Sequence, residues 1–167
     1  MGIGNVLMGD DALGPWGLKQ LEARWDLPDN VRCFDAGAAG LDLSLFLMDV
    51  DALIVIDGVK LKGPPGEVHT YRKPELIAGG LPIVMSPHEP TLREALIRLD
   101  VFGTGPAEVL LVGAIPETIE TGAPLSQAVR GAWPAIEANI LRELERLAAP
   151  ASPRVPAFKP DVWWEMR

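Results

Sequence analysis

The sequence has a single cysteine, Cys33, and only two histidines, His69 and His88. One cysteine cannot form an intramolecular disulfide, and this usage is typical of a cytoplasmic protein. The apolar neighbours of Cys33, with neither a histidine nor a helix start close by, favour a buried structural thiol over a nucleophile. No Gly-x-Ser-x-Gly elbow occurs either. A cysteine or serine protease is therefore not expected.

Basic charge is also scarce, with 15 Lys and Arg against 23 Asp and Glu and a net charge of −8. Nucleic acids and anionic membrane surfaces require a basic face, so neither is expected as a partner. No uninterrupted apolar run approaches the ~18 residues that a spanning helix needs, and no basic segment followed by an apolar run marks a signal peptide.

The 167 residues are 48% hydrophobic, enough for one domain with a sizeable core. We expect an α/β domain over residues 1–148 and a proline-rich tail over 149–167, extended and at most docked on the surface. The apolar runs at 52–56 and 108–115 predict strands covered on both faces, and 67–72 alternates as an edge strand does. Shorter strands are expected at 2–5 and 31–34. Helical spacing covers 12–25, 43–50, 91–99 and 125–147, with Ser126 as a cap.

Strands that alternate with helices predict a three-layer sandwich with a twisted, mostly parallel sheet between helices. The segment Gly2–Asn5 would be the end of a first strand, with only Met1 before it. We expect either that this strand is very short or that the chain begins downstream of the usual start.

The first fourteen residues after Met1 combine a glycine turn with two adjacent carboxylates, Asp10 and Asp11. An aspartate before a helix is a favoured N-cap, which accounts for one of them. We expect Asp10 to be the cap and Asp11 to be available for chemistry. A dinucleotide fingerprint is not supported, since the third glycine is missing at the required spacing.

Ligands of open α/β sheets bind at the carboxyl ends of the strands. Asp11 follows the first predicted strand, Asp35 the second and Asp57 the clearest one, and His88 lies in a loop before a helix. Carboxylate and imidazole suit nickel, zinc, iron or manganese alike, so the donors do not fix the metal. His69 is interpreted as a strand residue, and Glu117 as a turn carboxylate.

The order of the motifs is more specific than any one of them. Gly-x-Gly-Asn followed by Asp-Asp-x-x-Gly, then Asp35-Ala-Gly-x-Ala-Gly, Ile-Val-Ile-Asp57 and Ser-Pro-His88 resembles the hydrogenase maturation endopeptidases. These enzymes trim the C-terminus of the large subunit of nickel–iron hydrogenases. The resemblance runs from Gly2 to about residue 147, and it implies the same three-layer fold.

The resemblance further implies that Asp11, Asp57 and His88 contact nickel and that the nickel arrives with the substrate, a large-subunit precursor. Other divalent metals are expected to occupy the same donors in vitro. Asp57, Asp11 and Asp35 are the candidate catalytic residues, with Asp35 orienting the substrate or a neighbouring ligand. Either the metal activates a water, or it only docks the substrate while a carboxylate acts as general base.

Two other functions stay open at the level of the sequence. The chain could bind the same precursor as a nickel-sensing chaperone without cleaving it, or it could be an unrelated small-amide hydrolase on a similar scaffold. Loss of the precursor's C-terminal extension would separate the first from the endopeptidase. Activity without a nickel-loaded partner would indicate the second.

Overall fold

The computed structural model describes residues 1–37, 43–78 and 90–165. The helices and strands in these ranges are α1 (Leu13–Arg24), β1 (Trp25–Asp26), α2 (Ser44–Leu47), β2 (Ala52–Gly58), β3 (Val68–Arg72), α3 (Lys73–Ala78), α4 (Pro90–Phe102), β4 (Glu108–Ala114), α5 (Gln127–Arg146) and β5 (Ser152–Pro153). A 3₁₀ turn over Gly9–Ala12 leads into α1, and a second one covers Trp163–Glu165.

The central sheet has the strand order β2–β4–β3. β2 runs parallel to β4, from the pair Ala52 and Glu108 to the pair Gly58 and Ala114. β3 lies antiparallel to β4 at the edge. The predicted strands at 52–56, 67–72 and 108–115 are thus confirmed to within a few residues, because apolar runs fill the two faces of β2 and β4 and an alternating pattern suits an edge.

The N-terminal segment lies beside β2 but forms only isolated bridges. Gly2 pairs in parallel with Ile56 on one side and with Asp35 on the other. The N–H of Gly2 donates to the Phe34 carbonyl at 2.9 Å, and the N–H of Ile56 donates to the Met1 carbonyl at 2.9 Å. The predicted strands at 2–5 and 31–34 are therefore wrong as continuous strands, since Gly2 alone bridges both neighbours.

Helices cover both faces of the sheet and create two apolar cores. One core joins the sheet to α2, α3 and α4, and the other joins it to α1 and α5. α1 approaches the N-terminal segment very closely: a Cβ on Gly2 would lie 2.5 Å from the Gly14 carbonyl carbon. The expected three-layer α/β sandwich is confirmed, with a mixed sheet of parallel and antiparallel strands.

The C-terminal segment packs along α1 and α5. The N–H of Phe158 donates to the Ala23 carbonyl at 2.8 Å, and the Trp164 side chain packs against the core formed by α1 and α5. Arg130 of α5 pairs with Glu165. The tail is docked by specific contacts over the part of it that the structure describes.

None of the helices in the described ranges combines the length and the apolar character that crossing a bilayer requires.

Candidate functional site

The turn after the N-terminal segment folds back onto Asp11. Gly4 has a φ of +139°, and a Cβ at this position would lie 1.8 Å from the Asp11 carbonyl oxygen. The next residue, Asn5, donates its backbone N–H to Asp11 Oδ2 at 2.8 Å. Only glycine fits at position 4, because a side chain would both strain the backbone and displace the 3₁₀ turn. This close approach fixes the Asp11 carboxylate, which is 9% exposed.

Asp10 does not cap α1, contrary to the prediction from the sequence. Its carboxylate accepts hydrogen bonds from the backbone N–H groups of Glu117 at 2.7 Å, Thr118 at 3.2 Å and Ser126 at 2.6 Å. The residue that caps α1 is Ala12, and no side chain bonds to that cap. The prediction that Asp10 caps α1 is therefore wrong: the 3₁₀ turn places it before the cap, and its side chain points across to the loop after β4. Asp10 is a buried structural anchor that ties the first turn to the start of α5.

Asp57 lies at the carboxyl end of β2 and is fully buried. Its Oδ1 accepts the backbone N–H of Gly58 at 2.7 Å. A carboxylate shielded from water in this way is costly unless other groups compensate its charge. Buried carboxylates in such positions are candidates for binding or catalysis.

Asp11 and Asp57 lie at the same edge of the sheet. The 3₁₀ turn that carries Asp11 contacts β2. Gly14, at the start of α1, lies so close that a Cβ would be 2.2 Å from the Ile3 carbonyl oxygen and 2.6 Å from the Ile56 carbonyl oxygen. The turn that carries Asp11 therefore adjoins the strand that carries Asp57.

Asp35 reaches the same edge from the other side of the N-terminal segment. It is exposed, and its Oδ1 accepts the N–H of Gly37 at 2.9 Å. The carbonyl of Gly37 in turn accepts the N–H of Gly4 at 3.1 Å. Asp35 therefore shapes a turn that adjoins the first loop, and its carboxylate faces solvent.

The overall fold agrees with the comparisons with known proteins. A family model described as hydrogenase maturation protease matches residues 18–143. The chain belongs to this family. The Hydrogenase 2 maturation protease of Escherichia coli is 35% identical over 156 residues, which cover 92% of this chain and 94% of that protein.

Solved structures of hydrogenase maturation proteases have the same fold as this chain. The hydrogenase maturating endopeptidase HybD from E. coli superposes with a TM-score of 0.84 at 32% identity, over 93% of this chain and 96% of that one. A hydrogenase 2 maturation peptidase from a Thaumarchaeota archaeon gives a TM-score of 0.64 at 32% identity, over 86% and 95%. The chain is accordingly a peptidase of the hydrogenase maturation type.

The remaining predicted site residue, His88, lies outside the described residues. The other histidine, His69, is in β3 opposite Gly113, with its Nε2 3.1 Å from Glu67 Oε1. His69 is thus a strand residue, as predicted. Across residues 1–37, 43–78 and 90–165, no three His, Cys, Asp or Glu side chains are grouped in a way that could hold a metal. The set of Asp11, Asp57 and His88 stays a prediction.

Sequence reasoning missed the anchoring role of Asp10. The N–H groups that it accepts are 107 to 116 residues away. No local pattern connects them, because the loop after β4 meets the first turn only through the tertiary fold. The only local indication of two separate roles was that Asp10 and Asp11 are adjacent, since the side chains of neighbouring residues point in different directions.

Proposed function

We propose that this peptidase removes the C-terminal extension of a nickel–iron hydrogenase large-subunit precursor after nickel has been inserted. Asp11, Asp57 and His88 are the residues that bind the nickel carried by the substrate. The ion belongs to the substrate, so the enzyme needs donors with open positions rather than a complete cage. Processing then depends on a correctly assembled large subunit.

The observation that carries this proposal is the pair of buried carboxylates at the carboxyl edge of the sheet. Asp57 is fully buried and Asp11 is 9% exposed, and each carboxylate accepts a backbone N–H, that of Gly58 for Asp57 and that of Asn5 for Asp11. Carboxylate oxygens are suitable donors for nickel, as is the imidazole of His88.

The named function of the relatives supports the same substrate class. The E. coli protein is described as a Hydrogenase 2 maturation protease, and other relatives as hydrogenase expression or formation proteins. We extend this to a precursor large subunit as the protein partner here. The acidic net charge of −8 suits a metal-bearing or basic segment better than an acidic one.

A processing assay tests the proposal. The purified protein is incubated with a large-subunit precursor prepared with and without nickel, and the intact mass of the large subunit is followed. The expected result is loss of the C-terminal extension from the nickel-loaded precursor alone. Cleavage of both forms at equal rates would contradict nickel-dependent recognition while retaining the peptidase.

The same assay separates the other functions. Nickel-dependent binding without a mass change would indicate a chaperone. Hydrolysis of small amides together with an untouched precursor would indicate a different hydrolase. Either result would overturn the proposed substrate.

A further inference from the structure

Arg130 lies in the first turn of α5 and contacts three separate parts of the chain. Its Nε donates a hydrogen bond to the Leu125 carbonyl at 3.2 Å, and its Nη2 pairs with the Glu165 carboxylate. Its guanidinium carbon lies 5.6 Å from the centre of the Trp16 ring. A guanidinium is planar and has its donors in a fixed arrangement, so it can hold a carbonyl and a carboxylate while its face lies over a ring. Arg130 therefore joins α1, the loop before α5 and the C-terminal segment.

The Leu125 carbonyl belongs to the same peptide group as the Ser126 N–H. This N–H donates to Asp10 Oδ1 at 2.6 Å. Because a peptide group is planar, the bond from Arg130 to its oxygen also directs its N–H toward Asp10. Hydrogen bonds in such a chain polarise and strengthen one another. Arg130 and Asp10 thus hold opposite sides of one peptide group at the start of α5.

The contact with Trp16 supports the chain on the other side of Asp11. Trp16 is 6% exposed and lies in the first turn of α1, which begins two residues after Asp11. Its ring meets the ring of Trp133 of α5 edge-on, with the ring centres 5.4 Å apart. Asp10 precedes Asp11 and α1 follows it. The contacts of Arg130 therefore reach the segments on both sides of Asp11.

Glu165 is brought to Arg130 by the C-terminal segment. This segment pairs with β1, where Pro153 lies opposite Trp25, and Trp164 packs against the core formed by α1 and α5. The side chains of Arg130 and Glu165 are 28% and 23% exposed. An ion pair that is partly buried in this way is screened less by salt than an exposed pair. The carboxylate of Glu165 therefore helps to fix the guanidinium over the start of α5.

We propose that Arg130 is a positioning residue of the peptidase and that Glu165 holds its guanidinium in place. The guanidinium orients the Leu125–Ser126 peptide group toward Asp10 and supports α1. Asp11, between these two supports, then keeps its position at the carboxyl edge of the sheet. This role rests on the proposed function, in which Asp11 acts on the nickel-bearing substrate. Since a small displacement of such a group lowers the rate strongly, loss of the guanidinium should reduce kcat.

Three variants separate this role from a general loss of stability. Arg130→Met removes the guanidinium but keeps an apolar stem, and Glu165→Gln removes the charge that pairs with it. Arg130→Lys keeps a cation for Glu165 but has a methylene in place of Nε, so the bond from Nε to the Leu125 carbonyl is lost. Arg142→Met is the matched control, because Arg142 is an exposed arginine of the same helix.

Processing kinetics on the nickel-loaded precursor are measured at a temperature at which circular dichroism shows each variant to be folded. For Arg130→Met and Arg130→Lys, kcat is expected to fall about tenfold. KM should stay within about twofold, because Arg130 itself does not contact the substrate in this role. Exchange of the Ser126 amide should become about tenfold faster in both variants. Glu165→Gln should show smaller changes in the same directions, and Arg142→Met none.

A wild-type kcat for Arg130→Met, or full recovery of kcat in Arg130→Lys, would overturn the positioning role. A lower midpoint of thermal unfolding with an unchanged kcat would show that Arg130 only stabilises the fold. A raised KM at constant kcat would assign it to substrate binding instead. Each of these results is obtained against an active wild-type chain. A wild-type chain that leaves the precursor intact would overturn the proposed function itself, and the role of Arg130 with it.

Discussion

At the scale of single residues, the two adjacent aspartates of the first turn have separate tasks. Asp10 is 1% exposed and receives three backbone N–H groups, whereas Asp11 receives the N–H of Asn5 at the edge of the sheet. Both oxygens of Asp10 act as acceptors, so its charge is well compensated.

Replacing Asp10 by Asn is expected to destabilise the fold by about 2 kcal/mol. The amide nitrogen would face a backbone N–H, and hydrogen bonds to a charged acceptor contribute roughly 1.5–3 kcal/mol. Urea unfolding at pH 7 measures the change, with the exposed Asp29→Asn as the matched control. An unchanged free energy of unfolding for Asp10→Asn would contradict the anchoring role.

The buried Met1 amine should make the free energy of unfolding rise between pH 6 and pH 8. Its pKa is lowered from 8.0 to about 6 in the folded state. The unfolded chain therefore binds the proton more tightly in this range, and the free energy of unfolding increases with pH. The increase is on the order of 2 kcal/mol.

Urea unfolding at pH 6, 7 and 8 checks this prediction. The chain acetylated at its N-terminus serves as the control, because acetylation converts the amine into an uncharged amide while leaving both histidines in place. The acetylated chain should have a flatter profile over this range. Identical profiles for the two proteins would exclude the amine as the cause.

At the scale of elements, the turn at Gly4 requires a glycine because its backbone lies against the 3₁₀ turn that carries Asp11. Gly4→Ala should cost at least about 1 kcal/mol from the positive φ alone, and it should displace Asp11, whose carbonyl occupies the place of the new Cβ. We expect the variant to lose most of its processing of the precursor.

Gly131→Ala is the control, since its Cβ would meet nothing within 4 Å. Processing of the precursor by Gly4→Ala at the wild-type rate would be inconsistent with the geometry of the first turn.

A second inter-element contact joins β3 to α5. The buried Glu143 accepts a bidentate pair from Arg72, at 2.5 and 2.8 Å, and two further bonds from Arg146. These guanidinium groups lower the pKa of Glu143 to about 2. Its contribution to stability is present above pH 4.5 and is lost as the pH falls toward 2.

Glu143→Gln is therefore expected to lower the free energy of unfolding at pH 7 by roughly 2 kcal/mol, because it weakens hydrogen bonds to a charged acceptor. The difference from the wild type should shrink as the pH falls from 4.5 toward 2. Unfolding of the exposed Glu145→Gln variant provides the matched comparison. A difference that stays constant over this range would show that the charge of Glu143 is not responsible.

The elements also show how far the sequence predicts the fold. Residues 52–56 and 108–115 are long apolar runs, and their burial is a local consequence of composition. The predictions of continuous strands at Gly2–Asn5 and 31–34 are wrong, because the pairing of these segments depends on neighbours that the rest of the sheet supplies. The anchoring partners of Asp10 are equally non-local, whereas the position of Asp57 at the end of β2 follows from the apolar run that precedes it.

At the scale of the whole molecule, two helical layers pack against the two faces of the central sheet. The carboxyl edge of the sheet carries Asp11 and Asp57, and we propose that this edge receives the substrate's nickel.

The most direct test of the central claim is the processing rate of the Asp57→Asn variant on the nickel-loaded precursor. Asn keeps the shape and the acceptor for the Gly58 N–H but removes the charge, so the fold should be retained. We expect processing to fall at least ~100-fold, as when a catalytic group is removed. The same loss is expected for His88→Ala, with Asp29→Asn and His69→Ala as matched controls at the wild-type rate. Normal processing by Asp57→Asn would contradict the account.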